Sequence, residues 1–297
     1  MTKTHRTLLA AGAALIPGFL QAAIVGPYAV DANTTQLYHF DEAAGSTTAT
    51  NSVTGGLELS SVNITADGVW DTNTSILGAS GYSGFGNSAD MSGDANDSLL
   101  YTTSQVTPPT VGFSATTGFT MEALINTSSI TDGQQEIISL DSNGSRSFQF
   151  VISSAGELRY QVIGGSNPQY NFNIPTTGPD AFQADTWFHV AVTYTGQEGV
   201  ANNLSVYWTL LDGSRTEANL LGNGTLAADW TGNGYFVVGN EGRRDAGENL
   251  KGLIDEVRIS NIARGADEMM FAVPEPATFA LLFGGLALGL AVWRRRR

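Results

Sequence analysis

Short runs of alternating side chains, with no sustained helical period, limit what this chain can fold into. Phe188, Val190, Val192 and Tyr194 alternate with Trp187, His189, Ala191 and Thr193. Successive side chains on a strand point to opposite faces, so one set enters a core and the other faces away. The same period places Phe119, Met121, Ala123 and Ile125 on one face of residues 119–125. It also aligns Leu204, Val206, Trp208 and Leu210, a run that ends at the turn Asp212-Gly213. Residues 148–152 and 158–163 flank Ser154-Ala155-Gly156, a hairpin turn, and 235–238 and 253–259 complete the set. Clusters of Gly, Asn, Asp, Ser and Thr separate these runs. The pattern predicts an all-β sandwich or jelly roll, with long loops at 78–97 and 164–180, the second carrying Tyr170 and Phe172.

The two ends are of a different kind. Lys3, His5 and Arg6 precede an apolar run over 8–20, and Gln21-Ala22-Ala23 offers small residues for cleavage. That is a secretory signal helix over 1–23, cut after Ala22 or Ala23. Its apolar run is shorter than the roughly 20 residues that span a bilayer. At the other end, Pro274, Glu275 and Pro276 lie in a short linker, 272–276. An uncharged stretch over 277–293 follows, closed by Arg294, Arg295, Arg296 and Arg297. Seventeen residues give a helix of about 25 Å, slightly short of a typical hydrocarbon core, which can still span with local thinning or snorkelling arginines. The arginines keep that end in the cytoplasm, so the expectation is a C-terminal transmembrane helix with the domain at 24–271 outside.

Charge narrows the partners. Setting aside Lys3, Arg6 and the terminal arginines leaves 8 of the 14 basic residues, and setting aside Glu275 leaves 27 of the 28 acidic ones. The exterior domain therefore carries a net charge of −19. Such a surface repels nucleic acid and anionic lipid and favours divalent cations. With no cysteine in the chain, thiol nucleophiles, thiolate metal sites and disulfides are excluded.

Several segments, taken in order, resemble the LamG-like, concanavalin A-like jelly-roll domains of bacterial surface proteins. Tyr38-His39-Phe40-Asp41-Glu42 resembles the opening strand of that family, and Phe85-Gly86-Asn87-Ser88 with Asp90-Met91-Ser92-Gly93 its glycine-rich block. Residues 119–125, 186–194 and 252–259 resemble three further strands, and Asn261-Ile262-Ala263-Arg264 follows the last as in the family. The tail is similar to a PEP-CTERM sorting signal: Val273-Pro274-Glu275-Pro276, an apolar span and an arginine cluster. This resemblance implies processing by an exosortase-type membrane enzyme in a Gram-negative bacterium that makes exopolysaccharide. It also implies an initial anchor in the inner membrane and a final place in the cell envelope.

Candidate chemistry is sparse. Asp255 shares parity with Leu253, Val257 and Ile259, so it is expected to point inward. A buried carboxylate needs a cation, an arginine or several N–H donors. The family resemblance implies that a structural calcium can sit here, with Asp41 as a second ligand, while hydrogen bonding to neighbouring backbone remains the alternative. Asp90, Asp94, Asn96 and Asp97 are oxygen-rich but lack the order of a calcium-binding EF-hand loop. His39 and His189 sit beside aromatics and read as packing residues. Tyr170, Trp230 and Tyr235, with Tyr82, are candidates for stacking on sugar rings. Retaining glycosidases need two carboxyls about 5 Å apart. The Glu-x-Asp-x-x-Glu strand of the related β-glucanases is missing, and Glu241, Asp245 and Glu248 have another spacing. No catalytic residue is assigned. The expectation is a non-catalytic module that binds carbohydrate or protein in the envelope or exopolysaccharide matrix. The alternatives are a structural biofilm component without a tight ligand, and a glycoside hydrolase-related enzyme.

Overall fold

The computed structural model describes residues 27–269, apart from 65–69, 72–75, 93–97, 143, 164–167, 228–229 and 244–246. The signal helix, the helix at 277–293 and Pro274, Glu275 and Pro276 lie outside the described residues, as do Asp94, Asn96 and Asp97. Among the described residues no helix is long and apolar enough to cross a membrane.

The strands are β1 (Thr34–Tyr38), β2 (Thr48–Ala49), β3 (Leu59–Ile64), β4 (Trp70–Asp71), β5 (Leu77–Ser80), β6 (Asn87–Asp90), β7 (Ser98–Tyr101), β8 (Phe119–Thr127), β9 (Gln135–Ser142), β10 (Ser145–Ile152), β11 (Glu157–Val162), β12 (Gln169–Asn173), β13 (Thr186–Tyr194), β14 (Leu204–Leu210), β15 (Leu220–Gly224), β16 (Tyr235–Val238) and β17 (Gly252–Ser260). They form two antiparallel sheets. One runs β15-β14-β13-β8-β17-β6-β5 with β1 also on β17, and the other runs β12-β11-β10-β9-β16-β7-β3-β2 with β4 on β3. Neighbours that are distant in sequence, such as β8 beside β17 and β9 beside β16, give the crossed connections of a jelly roll.

The alternating residues meet between the sheets. Phe119, Met121, Ala123 and Ile125 of β8 pack with Phe188, Val190, Val192 and Tyr194 of β13 and with Phe148, Phe150 and Tyr160 of the other sheet. Trp208 of β14 is fully buried, stacks on Phe188 at 4.4 Å, and donates its indole N–H to the Asp180 carbonyl at 3.1 Å. The seven runs that the alternation marks all fold as strands: β8, β10, β11, β13, β14, β16 and β17.

Both expected loops contain strands. Residues 78–97 include the β5–β6 hairpin, and 164–180 include β12, whose Tyr170 and Phe172 pack against the core while Gln169, Asn171 and Asn173 face solvent. Two apolar residues among polar ones are too few to stand out from a loop in sequence, yet enough to seal a sheet edge.

The eight-stranded sheet is covered on its outer face as well. Tyr28, Leu37, Phe85, Leu124, Ala191, Tyr207 and Leu211 form a second apolar layer there. A buried ion pair lies within it. Arg258 of β17 donates to Glu122 Oε1 from Nε at 2.7 Å and approaches it with Nη2 at 2.6 Å. Glu122 Oε2 accepts from the Tyr28 hydroxyl at 2.6 Å and lies 3.0 Å from His189 Nε2. Tyr28 also donates its backbone N–H to Glu256 at 2.7 Å, so two polar contacts fix the start of the domain to the sheet. The two histidines that read as packing residues are both buried or half-buried partners of glutamates, His39 Nδ1 lying 2.7 Å from Glu256.

A bulge in β17 changes the expected parity. The register with β8 slips between Asp255 and Arg258, and Glu256 has φ 50°, in the left-handed region. Ile254 opposite Ile125 is in the core, whereas Asp255 opposite Leu124 lies on the outer face. The extra residue lets Val257 and Ile259 re-enter the core. Asp255 is therefore fully buried, as expected, but beneath the Gly81–Tyr82 turn rather than between the sheets.

Candidate functional site

Across β9 to β12 the outer face of the nine-stranded sheet is polar instead of apolar. The register aligns Gln169 with Gln161, Gln161 with Gln149, and Gln149 with Ser139, giving one transverse row over β12, β11, β10 and β9. Beside it, Asn171 pairs with Arg159, and Asn173 with Glu157. Gln169, Asn171 and Asn173 are exposed, and Glu157, Arg159 and Gln161 half-exposed. Beyond β9 the face turns apolar: Val62, Leu99 and Val237 form a small buried cluster, on which Tyr235, opposite Asp141, meets Tyr101 edge-on at 5.7 Å.

Between these two edges lies a buried carboxylate cluster that the sequence did not announce. Glu136 and Asp141 come from β9, and Glu241 and Glu248 from the segments flanking 244–246 ahead of β17. Backbone bonds seat those segments on the strand: Glu136 N–H to the Glu248 carbonyl at 2.8 Å, and Gly239 N–H to the Ile137 carbonyl at 2.9 Å. Gly242 needs to be glycine, because a Cβ there would sit 2.2 Å from the Asp141 carbonyl oxygen, and its N–H reaches Asp141 Oδ1 at 2.6 Å. Carboxylate oxygens of Glu136, Glu241 and Glu248 all lie within 4.8 Å of one another.

Among the described residues, two arginines touch the cluster. Arg146 Nε donates to Asp141 at 3.2 Å, while Arg243 bonds Glu241 and, through Nη2, Glu248 at 2.9 Å. Gln149 and Gln134 donate to Glu136 Oε1 at 2.6 and 3.0 Å, and Arg159 in turn donates to Gln134. Even so, Glu136 Oε2, Glu241 Oε1, Arg146 Nη2, Arg159 Nε and Ser147 Oγ have no hydrogen-bond partner. Burial, followed by the charges of Asp141, Glu248 and Glu241, pushes the Glu136 carboxyl well above the usual carboxylate range. Burial and then Asp141 and Glu248 raise Glu241 to about 8. Asp141 is raised as well by burial, against the pull of Arg146.

The residues singled out from sequence lie elsewhere for the most part. Asp255 finds two backbone donors, Glu256 N–H at 2.8 Å and Tyr82 N–H at 3.2 Å, which is the hydrogen-bonded alternative to calcium. Burial, then the Glu256 charge, raises it to about 8, and the nearby Asp41 adds to the rise. Asp41 is exposed and accepts from Asn87 N–H at 2.8 Å. Tyr170 does not stand free: its ring lies against Gly224 and its hydroxyl donates to the Thr225 carbonyl at 2.8 Å. Trp230 packs among Phe113, Phe119 and Tyr194 and donates to the Tyr160 hydroxyl at 3.0 Å. One side of it borders a cleft of about 340 Å³ with Pro108, Pro109 and Ala115. Trp230→Phe should lose that hydrogen bond and destabilise the fold by about 1 kcal/mol in a urea titration. An unchanged midpoint would show that the bond contributes nothing. Of the three aromatics, Tyr235 alone lies on the outer face of the nine-stranded sheet, against Val62, Leu99 and Val237.

Residues 100–270 match the family model of the concanavalin A-like lectin/glucanases superfamily, which covers more than half of the chain. The chain belongs to that superfamily. Residues 272–297 match the PEP-CTERM protein-sorting motif. That motif marks an exported, cell-surface protein recognised by an exosortase-type sorting enzyme. No curated protein matches the chain. Among solved structures, domain 4 of AbnA, a GH43 extracellular arabinanase from Geobacillus stearothermophilus in complex with arabinotriose, is 17% identical, with a TM-score of 0.50 over 82% of this chain and 98% of that one. The W1252A mutant of HCR D/C VPI 5995 is 13% identical, with a TM-score of 0.53 over 80% of this chain and 51% of that one. Trypanosoma rangeli sialidase is 14% identical, with a TM-score of 0.45 over 82% of this chain, and the chain spans 32% of its length. At these identities the likeness to solved structures is one of fold.

Proposed function

We propose that this superfamily member is a non-catalytic module, displayed outside the cell, that binds neutral carbohydrate on the outward face of β11 and β12. The observation that carries this reading is the patch formed by Glu157, Arg159, Gln161, Gln169, Asn171 and Asn173, in register and open to solvent. Amides and a guanidinium supply both donors and acceptors, which is what an array of sugar hydroxyls requires. The acidic exterior selects against anionic glycans by repulsion. The arabinanase domain of the same fold, solved with arabinotriose, is consistent with a sugar ligand.

A non-catalytic role is supported by burial. Glu136, Asp141 and Glu241 have no exposed surface. Carboxyls that cleave a glycosidic bond must flank it from both sides, and these cannot be reached by a sugar ring. The tail would hold the module at the membrane before sorting, within an envelope or matrix rich in polysaccharide.

The test is a neutral-glycan array probed with the full chain, followed by titration of any ligand found. Arg159→Ala combined with Asn171→Ala should weaken that ligand by about tenfold or more, equivalent to about 1.4 kcal/mol. A blank array, or an affinity indifferent to both substitutions, would remove β11–β12 as the binding face.

A further inference from the structure

We propose that Glu136, Glu241 and Glu248 form a divalent-cation site that takes calcium, separate from the Asp255–Asp41 pair and independent of carbohydrate binding. The first observation is geometric. One carboxylate oxygen from each residue lies within 4.8 Å of the other two. Calcium binds oxygen at about 2.3–2.6 Å, so ligand atoms on opposite sides of one ion stand roughly 5 Å apart. All three oxygens can therefore contact a single ion without moving the backbone.

The second observation is the orphaned atoms. Glu136 and Glu241 are fully buried, yet Glu136 Oε2 and Glu241 Oε1 accept no hydrogen bond. Buried acceptors without a donor are rare because each loses its hydration with nothing in return. The other oxygen of each is engaged, Glu136 Oε1 by Gln149 and Gln134, Glu241 Oε2 by Arg243. Those bonds orient the carboxylates and leave the orphaned oxygens for a ligand, as outer partners do around metal sites.

Charge balance agrees. Four carboxylates, Glu136, Asp141, Glu241 and Glu248, face two guanidiniums that touch them, Arg146 and Arg243. With all four carboxylates ionised, as a bound cation would hold them, the described residues leave two negative charges, the charge of one divalent ion. The donors are all oxygen, with no cysteine or histidine among them, which favours calcium or magnesium over softer metals. A shell of three carboxylates, two buried and one half-exposed, suits the flexible geometry of calcium better than the strict octahedron of magnesium. Glu248 is the partly exposed member, its side chain 26% accessible, and provides the entry side.

The experiment uses the full chain stripped with EGTA and titrated with calcium chloride, read by calorimetry and by thermal melting. Saturable one-to-one binding with a melting temperature raised by several degrees is expected, with magnesium at least tenfold weaker. Glu248→Gln should weaken calcium binding tenfold or more while leaving the fold intact, because its side chain reaches solvent. Glu136→Gln with Glu241→Gln should abolish the calcium shift and leave a folded chain, since two repelling charges are removed without loss of volume. No calcium response in the wild type would overturn the proposal. So would a response that survives in both variants, or one that Asp255→Asn abolishes while the three glutamates are intact.

Discussion

Arg258→Met is expected to lower the unfolding free energy by about 3–5 kcal/mol, measured by urea denaturation of the full chain at neutral pH. Arg258 and Glu122 are opposite one another on β17 and β8, and both are buried. Burial alone would raise the Glu122 carboxyl, but the Arg258 charge and then the His189 and Tyr28 hydrogen bonds overcome it and hold the group at about 2. With methionine the volume is kept and the charge is lost. Glu122 must then either stay ionised without a cation or take up a proton, and both cost free energy. Tyr28 also loses the guanidinium that lies 4.0 Å from its ring centroid. Adding Glu122→Gln to Arg258→Met should recover a large part of the loss, because the unpaired charge disappears. A single-variant loss below about 1 kcal/mol would show that the pair does not hold the outer layer.

A second large effect is expected from pH, in metal-stripped protein. Asp255 is raised to about 8 in the fold by burial and then by Glu256, from the 3.8 of an ordinary aspartate. The folded state therefore binds a proton that the unfolded state has released. Stability from this group is full below about pH 4 and is lost as pH rises toward 8, by as much as about 5 kcal/mol. The melting temperature should fall by roughly 10 °C between pH 5 and pH 8. His39, raised by its hydrogen bond to Glu256, acts in the same direction. Glu241, also raised to about 8, and the raised Glu136 and Asp141 act in that direction too. Asp255→Asn therefore isolates the aspartate by difference: its melting temperature should fall less than that of the wild type over that interval and should exceed it at pH 8. Parallel pH profiles for the two proteins would mean that Asp255 is ionised throughout.

The strand faces were legible because alternation is a local property. Val190 and Val192 must share a face whatever the rest of the chain does, and the core confirms it for β8, β13 and β14. Strand β9 was not legible. Its bulge, where the pairing with β10 slips between Phe150 and Val151, places the adjacent Ile137 and Ile138 both in the core and buries Glu136 and Asp141 on the other side. A period of two cannot be read through such an insertion. The face of Asp255 is hidden from the sequence for the same reason, since the β17 bulge lies just beyond it and reverses the parity with Val257 and Ile259. The candidate site is therefore present in the sequence only as scattered acidic residues: Glu241 and Glu248 lack the spacing of a catalytic pair, and Glu136 belongs to no motif.

By itself the sequence determined an all-β sandwich, the order of its main strands, the acidic exterior and the sorting motif at Pro274, Glu275 and Pro276. Those properties depend on composition, on a motif, or on neighbours two residues apart. Tertiary structure alone decided which carboxylates meet, because Glu136 and Glu241 are brought together only by β9 pairing with β16. It also decided which aromatics remain on a surface and which, like Trp230, pack against the core. Contacts between residues about a hundred positions apart depend on register and bulges, which are set by the packing of the whole sandwich rather than by any short stretch of it.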